Sequence, residues 1–189
     1  MKFTKAAFLD RDGVINCDYG YVYKFEDFKF CDGIFEALKT LIDLNFIIII
    51  ITNQSGIARG IFTEEEYERI TSFMLSKFKE NNIKITKIYH CPHHPLFSDK
   101  KFSDCKCRKP EAGLFFQAAK EYNIEMDKSI AIGDSERDLI AARTAGINKR
   151  YLITQNNLPQ NKKLATSSHR SVLECANLIK QAHNKFNSN

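Results

Sequence analysis

The sequence lacks the features of a membrane-embedded or exported protein. Its longest apolar run is FIIIII at residues 46–51, far short of the roughly 20 residues that a membrane-spanning helix needs. The N-terminus, MKFTKAAFLD, has neither an apolar signal core nor a cleavage site. We therefore expect a cytoplasmic protein that has no membrane contact.

The sequence also lacks a concentrated basic region. The net charge is +5, from 28 Lys and Arg against 23 Asp and Glu, but these charges are spread along the chain. No basic run is interleaved with aromatic residues, as it is in many RNA-binding modules. The balance favours a small anionic partner over a nucleic acid. No heptad pattern or apolar stripe indicates an interface, so we expect a monomer.

Repeats, low-complexity blocks and linkers are absent as well. A chain of 189 residues with 43% hydrophobic content can bury one good core, which predicts a single domain over residues 1–189. No segment is long enough to form a large cap domain. Only two loops, at residues 17–32 and 91–109, are long enough to shape a pocket.

Apolar strands alternate with amphipathic helices along most of the chain. Thr63 and Glu66 form the sequence pattern of a capping box at one helix start, and Gly146 ends another helix. This alternation predicts an α/β fold of the Rossmann-like type, with a parallel sheet covered by helices on both faces. The predicted strands are residues 5–9, 46–51, 84–90, 129–133 and 149–154, and the predicted helices are 33–45, 63–82, 113–123, 135–146 and 171–186.

Polar residues follow four of the predicted strands. Asp10 and Asp12 follow the first strand, and Thr52 ends the second. A cysteine- and histidine-rich segment follows the third, and Asp134 follows the fourth. Ligands of open parallel sheets bind outside the carboxyl ends of the strands. We therefore expect these residues to share one site.

The residue types predict a phosphoryl-transfer site. Converging carboxylates from Asp10, Asp12 and Asp134 need a cation, and oxygen ligands favour Mg²⁺. Lys109 and Thr52 would steady a phosphoryl group, which a metal-held carboxylate is placed to attack. Two residues make one strand-like repeat, so both aspartates of the DRDG motif can face one pocket. Gly13 would let the backbone turn away closely.

Three cysteines and a histidine have the spacing of a structural zinc site. The four candidate ligands are Cys91, His93, Cys105 and Cys107. Three thiolates and an imidazole make a closed tetrahedral Zn²⁺ site, although His94 remains an alternative to His93. Closing this loop would fix the direction of Arg108 and Lys109, which come directly after it.

At this point the sequence resembles a known family. The segments FLDRDGVIN, DYGYV, ITNQSGIARG, CPHHP, CKCRKPEAGL and IGDSERDLIAARTAG are together similar to the D-glycero-D-manno-heptose 1,7-bisphosphate phosphatases. These enzymes form a branch of the haloacid dehalogenase superfamily that is related to the histidinol phosphatases. The resemblance covers residues 8–146, and the zinc-loop pattern belongs to it.

The resemblance implies a magnesium-dependent phosphatase with a structural zinc ion. It would remove the 7-phosphate of a heptose 1,7-bisphosphate through an aspartyl phosphate, in nucleotide-activated heptose biosynthesis for surface polysaccharide such as lipopolysaccharide. Asp10 would be the nucleophile and Asp12 the general acid and base, with Thr52 and Lys109 holding the phosphoryl group. Mg²⁺ would be held by Asp10, the Asp12 backbone carbonyl and Asp134. The implied substrate contacts are Arg11, Asp18, Tyr19, Gly20, Tyr21, Asn53, Gln54, Ser55 and Arg108.

Two departures from the family pattern leave the substrate open. Relatives commonly carry a lysine where this chain has Ser135, and the segment TQNNLP at 154–159 lacks the expected basic turn. The role of Asp138 is also open between supporting the metal and capping a helix. The alternatives are a histidinol-phosphate phosphatase, a DNA 3′-phosphatase, and a zinc-stabilised binding module without chemistry. The intact catalytic residues argue against the last.

Overall fold

The computed structural model describes residues 4–102, 104–154 and 164–187. Its strands are β1 (Lys5–Leu9), β2 (Phe46–Asn53), β3 (Ile85–Cys91), β4 (Ile130–Gly133), β5 (Lys149–Ile153) and β6 (Ser167–His169). Its helices are α1 (Ile34–Asp43), α2 (Glu64–Glu80), α3 (Gly113–Tyr122), α4 (Glu136–Thr144) and α5 (Val172–Asn187). Short 3-10 turns lie at Lys100–Phe102 and Met126–Lys128.

The six strands form one sheet in the order β3-β2-β1-β4-β5-β6. All neighbouring strands are parallel, which confirms the predicted fold class. The strand β6 was not predicted, because the sequence SSH carries neither an apolar run nor an alternation that indicates a strand. It pairs with β5 at the edge of the sheet.

The helices cover both faces of the sheet. Along β1, Ala7 and Leu9 belong to one core cluster and Ala6 and Phe8 to the other, as the alternation of side chains along a strand requires. The first cluster includes buried side chains of α1, α2 and α5, and the second those of α3 and α4. The predicted capping box of Thr63 and Glu66 is confirmed at the start of α2.

The topology places the end of β1 at a switch point of the sheet. Leu9 pairs with Ile50 of β2 on one side and with Ile132 of β4 on the other. The chain therefore leaves β1 at Asp10 between the ends of two neighbouring strands, where open α/β sheets bind their ligands. The connections that surround this edge include loops at residues 10–33, 54–63 and 92–112, and none of their described residues forms a separate cap domain.

Across the described residues, no helix combines the length and apolar character that a membrane crossing requires. The segment after β5, residues 155–163, lies outside the described residues, and the TQNNLP departure falls almost entirely within it.

Candidate active site

Asp10 is held by two donors at the end of β1. The Arg11 backbone N–H donates to Asp10 Oδ1 at 2.7 Å, and the Lys109 ammonium lies 3.0 Å from the same oxygen. Burial raises the pKa of Asp10 well above its usual range. The charge of Lys109 opposes this rise, and the nearby carboxylates of Asp138, Asp12 and Asp134 add to it. The carboxylate is therefore oriented but needs further positive charge.

Lys109 is a buried charge-balancing residue. Its side chain is 2% exposed, and its ammonium contacts Asp10, Asp138 Oδ1 at 2.7 Å and the Ile51 carbonyl at 2.7 Å. Burial lowers the pKa of Lys109, but the two carboxylates more than offset this effect and leave the pKa raised. The lysine thus lies behind Asp10 and does not line the cleft in front of it.

Asp138 has both a capping role and an ionic role. It accepts hydrogen bonds from the Ser135 backbone N–H at 3.0 Å and the Ser135 hydroxyl at 2.6 Å, as part of a capping box at the start of α4. Burial by itself would raise the pKa of Asp138, but the Lys109 charge and the Ser135 hydrogen bonds lower it overall. The helix cap that the sequence left open is present, joined to the lysine of the site.

Asp12 is fixed by donors from three residues. Arg11 Nε and Nη2 lie 2.9–3.2 Å from its carboxylate oxygens. Asn16 Nδ2 donates at 3.0 Å and Gln54 Nε2 at 2.9 Å. Gln54 also donates to Thr52 Oγ1 at 2.8 Å. The Thr52 oxygen therefore acts as acceptor towards Gln54, which leaves its own proton available for another acceptor.

Gly13 makes room for Asp134. Its φ angle is 77°, a conformation that glycine adopts without strain, and a Cβ at this position would overlap the Asp134 carboxylate. The carboxylate thus packs directly against the backbone that follows Asp12. Burial raises the pKa of Asp134 to about 6, with a further contribution from Asp138.

One carboxylate oxygen from each of Asp10, Asp134 and Asp138 lies within 4.8 Å of the others. Asp138 is already engaged by Lys109 and Ser135, so Asp10 and Asp134 are the two carboxylates most available to a cation. Their pKa values are raised by burial and by repulsion from neighbouring carboxylates, among which Asp138 acts on both. This set of hard oxygen donors fits a divalent cation such as Mg²⁺.

A cleft of about 270 Å³ opens in front of these residues. The predicted residues that line it are Asp10, Asp12, Asp18, Gly20, Tyr21, Thr52, Asn53, Gln54, Ser55 and Asp134. Gly56 and Arg137 line it too, and the sequence did not predict them. Arg137 lies three residues beyond Asp134 in the first turn of α4, and that proximity to a predicted site residue was the available signal.

Three predicted substrate contacts do not line the cleft. Arg11 is 1% exposed, and its guanidinium pairs with Asp12 and donates to the Val22 carbonyl at 2.9 Å. The Arg11 guanidinium therefore contacts the candidate acid, and its substrate contact stays a prediction of the sequence. Tyr19 is 67% exposed. Arg108 lines a separate cleft and donates to the His93 carbonyl at 3.3 Å.

The cysteine and histidine side chains converge as the sequence spacing predicts. The ligand atoms of Cys91, His93, Cys105 and Cys107 all lie within 4.8 Å of one another. The Cys91–Cys105 sulfurs are 3.7 Å apart, and His93 Nδ1 lies 3.9 Å from the Cys91 sulfur and 3.3 Å from that of Cys107. Tetrahedral ligands at about 2.3 Å from Zn²⁺ are about 3.8 Å apart. The Cys91–Cys105 separation matches this value, whereas the Cys91 and Cys107 sulfurs are closer, at 2.8 Å. The donor set of three thiols and one imidazole, all within 4.8 Å of one another, fits this ion.

The cysteine loop is tied to the sheet through Asn53. Asn53 Nδ2 donates to the Lys109 carbonyl at 3.0 Å, and the Lys109 N–H donates to Asn53 Oδ1 at 3.0 Å. Lys109 lies two residues after Cys107, so this amide pair fixes the loop directly beside the candidate zinc ligands. The end of β2 and the loop therefore position the lysine together.

Comparisons with known proteins agree with this geometry. The family model described as polynucleotide kinase 3 phosphatase matches residues 6–168. The D-glycero-alpha-D-manno-heptose-1,7-bisphosphate 7-phosphatase of Campylobacter jejuni is 47% identical over 152 residues, which cover 80% of this chain and 84% of that protein. The D-glycero-beta-D-manno-heptose-1,7-bisphosphate 7-phosphatase of Haemophilus ducreyi is 44% identical over 150 residues, which cover 79% of this chain and 82% of that protein.

The chain belongs to the polynucleotide kinase 3 phosphatase family and to the heptose-1,7-bisphosphate 7-phosphatases. A solved heptose bisphosphate phosphatase from B. bronchiseptica, complexed with magnesium and phosphate, superimposes with a TM-score of 0.81 at 28% identity. The match covers 95% of this chain and 99% of that structure. The resemblance seen in the sequence motifs is thus confirmed, and so is the fold type of these phosphatases.

Proposed function

We propose that the protein is a magnesium-dependent phosphatase that removes the 7-phosphate of D-glycero-D-manno-heptose 1,7-bisphosphate. The observation that carries this proposal is that Asp10 contacts the Lys109 ammonium, lies close to the Asp134 carboxylate and lines a cleft together with Asp12 and Thr52. The relatives named for this reaction match about four-fifths of the chain.

The residues have distinct roles in the proposed reaction. An Asp10 oxygen forms a bond to phosphorus while the bond from phosphorus to the sugar oxygen breaks. Asp12 gives its proton to that leaving oxygen. Asp12 then takes a proton from water, whose oxygen attacks the aspartyl phosphate, releases phosphate and restores Asp10. The Thr52 hydroxyl, held by Gln54, donates a hydrogen bond to the transferring group.

Mg²⁺ would be held by the carboxylates of Asp10 and Asp134 and by the backbone carbonyl of Asp12. The close approach of Asp134 to Gly13 supports this set, because it brings the carboxylate next to that backbone. When bound, the ion offsets the negative charge of the carboxylates and of the phosphoryl oxygens. Arg11, Asn16 and Gln54 keep Asp12 in place beside it.

The experiment is a comparison of magnesium-dependent phosphate release from four substrates. These are the α and β anomers of the heptose bisphosphate, histidinol phosphate, and an oligonucleotide with a 3′-phosphate. Asp10→Asn protein provides the blank, and Asp43→Asn, an exposed change on α1, is the matched control. We expect a large preference for a heptose bisphosphate, abolished by Asp10→Asn alone.

A 3′-phosphorylated polynucleotide end is the second candidate, because the matching family model is named for that activity. The four carboxylates that line the cleft make it a poor binding surface for a nucleic acid backbone. Preferential turnover of the oligonucleotide or of histidinol phosphate would retain the mechanism and refute the heptose substrate.

We also propose that the four-residue cysteine and histidine cluster holds a structural Zn²⁺ ion. All four ligand positions come from the protein, so no position is left for a reacting water. Cys107→Ser should lose zinc, measured by elemental analysis, and lose activity with it. Cys31→Ser, which removes a thiol outside the cluster, should keep about one zinc per chain. A zinc-free Cys107→Ser protein with full activity would contradict this role. A cytoplasmic location and a monomeric state stay predictions of the sequence.

A further inference from the structure

The cleft is strongly acidic for a site that accepts a substrate with two phosphates. Four aspartates line it, and Arg137 is the one cationic side chain among its described lining residues. Lys109 and the proposed Mg²⁺ offset the charge near Asp10. The substrate phosphate that is not hydrolysed, however, also needs a cation wherever it contacts the protein.

Arg137 is presented to the cleft by its neighbour Ser135. The Ser135 hydroxyl donates to Asp138 Oδ2 at 2.6 Å and accepts a hydrogen bond from Arg137 Nε at 3.0 Å. One hydroxyl thus binds the Asp138 carboxylate in the first turn of α4 and the Arg137 guanidinium at the same time. Ser135 itself does not line the cleft, whereas Arg137 does.

The Arg137 guanidinium has hydrogen-bond donors that are available to a ligand. Nε is used by Ser135, and within the described part of the chain the two terminal nitrogens make no hydrogen bond or ion pair. A guanidinium with two terminal nitrogens available is suited to bidentate contact with phosphate oxygens. The side chain is exposed, so binding an anion there requires no rearrangement of the core.

We propose that Arg137 binds the phosphate that is not hydrolysed, and so determines the preference of the enzyme for a bisphosphate over a monophosphate. This inference rests on the proposed function, because it assigns the second phosphate of that substrate.

The test compares two substrates that share the reacting 7-phosphate: the heptose 1,7-bisphosphate and the heptose 7-phosphate. Arg137→Gln should raise KM for the bisphosphate by about 10- to 100-fold, the range expected for losing a charge-assisted contact, and change kcat by no more than a few-fold. KM for the monophosphate should change far less, so the ratio of kcat/KM values between the two substrates falls. Arg137→Lys should recover part of that ratio.

Arg143→Gln is the matched control, because it removes an exposed positive charge from the last turn of the same helix. An equal effect of Arg137→Gln on both substrates would overturn the inference, because it would indicate that Arg137 acts on Ser135 or Asp134. Unchanged kinetics with the bisphosphate would overturn it as well. If the wild-type protein turns over neither heptose phosphate, the proposed function fails first, and this inference fails with it.

Discussion

Asp10 and Asp138 contact the same lysine, yet they should differ in what their charges do to stability. The Lys109 ammonium lies 3.0 Å from Asp10 and 2.7 Å from Asp138. The pKa of Asp138 is lowered, so its charge stabilises the folded state above the unfolded pKa, and this contribution is lost as pH falls through the folded value. The pKa of Asp10 is raised, so its charge is a cost to the metal-free fold at neutral pH.

Substitution by asparagine separates the two cases. Asp138→Asn removes one partner of a buried ion pair, a change that costs about 3–5 kcal/mol. Lys109 keeps Asp10 and the Ile51 carbonyl as partners, so we expect the lower end, about 3 kcal/mol. For a chain of this length that corresponds to a fall in Tm of about 6–12 °C. Asp10→Asn keeps an oxygen that can accept from the Arg11 N–H and from Lys109, and it removes repulsion. Its Tm should therefore equal or exceed that of the wild type.

The assay is thermal unfolding at pH 7 without added magnesium and without a chelator, so that any zinc stays bound. Asp43→Asn, exposed on α1, controls for the loss of one negative charge. A Tm for Asp10→Asn that falls as far as that of Asp138→Asn would refute the reasoning. It would mean that the two carboxylates stabilise the lysine equally and that repulsion among the acidic residues has little weight.

Three further predictions concern the metal site and the lysine loop. Gly13→Ala should raise the magnesium concentration needed for half-maximal activity by at least tenfold, since its Cβ would displace Asp134; unchanged magnesium dependence would contradict this. Because the pKa of Asp134 is about 6, protons should compete with magnesium below that pH, so a magnesium titration should show weakening affinity between pH 7 and pH 5. Asn53→Ala removes both hydrogen bonds to the Lys109 backbone and should cost about 1–3 kcal/mol of stability and most of the activity. Its zinc content should stay unchanged, which elemental analysis checks beside thermal unfolding.

The sequence predicts the layers of the fold because each layer leaves a local signal. The run FIIIII predicts a strand buried on both faces, and five of the six residues are buried in β2. The capping pattern of Thr63 and Glu66 predicts the start of α2, and Thr63 is the N-cap residue in the structure. The order of the strands in the sheet leaves no such local signal. It depends on the face of the sheet over which each connecting helix passes. The edge strand β6 was missed because three polar residues carry no periodicity.

The site residues could be predicted where the chemistry requires a particular residue type. They were harder to predict where the role of a residue depends on which way its side chain points. The spacing of Asp10, Asp12 and Asp134 at strand ends is enough to place them around one cleft. Arg11, by contrast, is an arginine between two site aspartates, and no pattern tells whether its guanidinium turns outward to a substrate or inward. It turns inward, because the half-buried Asp12 carboxylate and the Val22 carbonyl accept hydrogen bonds from it there.

The same argument explains why the contacts of cationic side chains are harder to predict from sequence than those of the acids. Long flexible side chains reach several positions from one backbone site, so their targets depend on contacts made by distant segments. Lys109 is aimed at Asp10 because the Asn53 amide holds its backbone from the neighbouring strand. Arg137 lines the cleft, and the hydroxyl of Ser135, two residues earlier, accepts a hydrogen bond from its Nε. Both holding residues are small and polar, and neither would be recognised from its own residue type as controlling a charge.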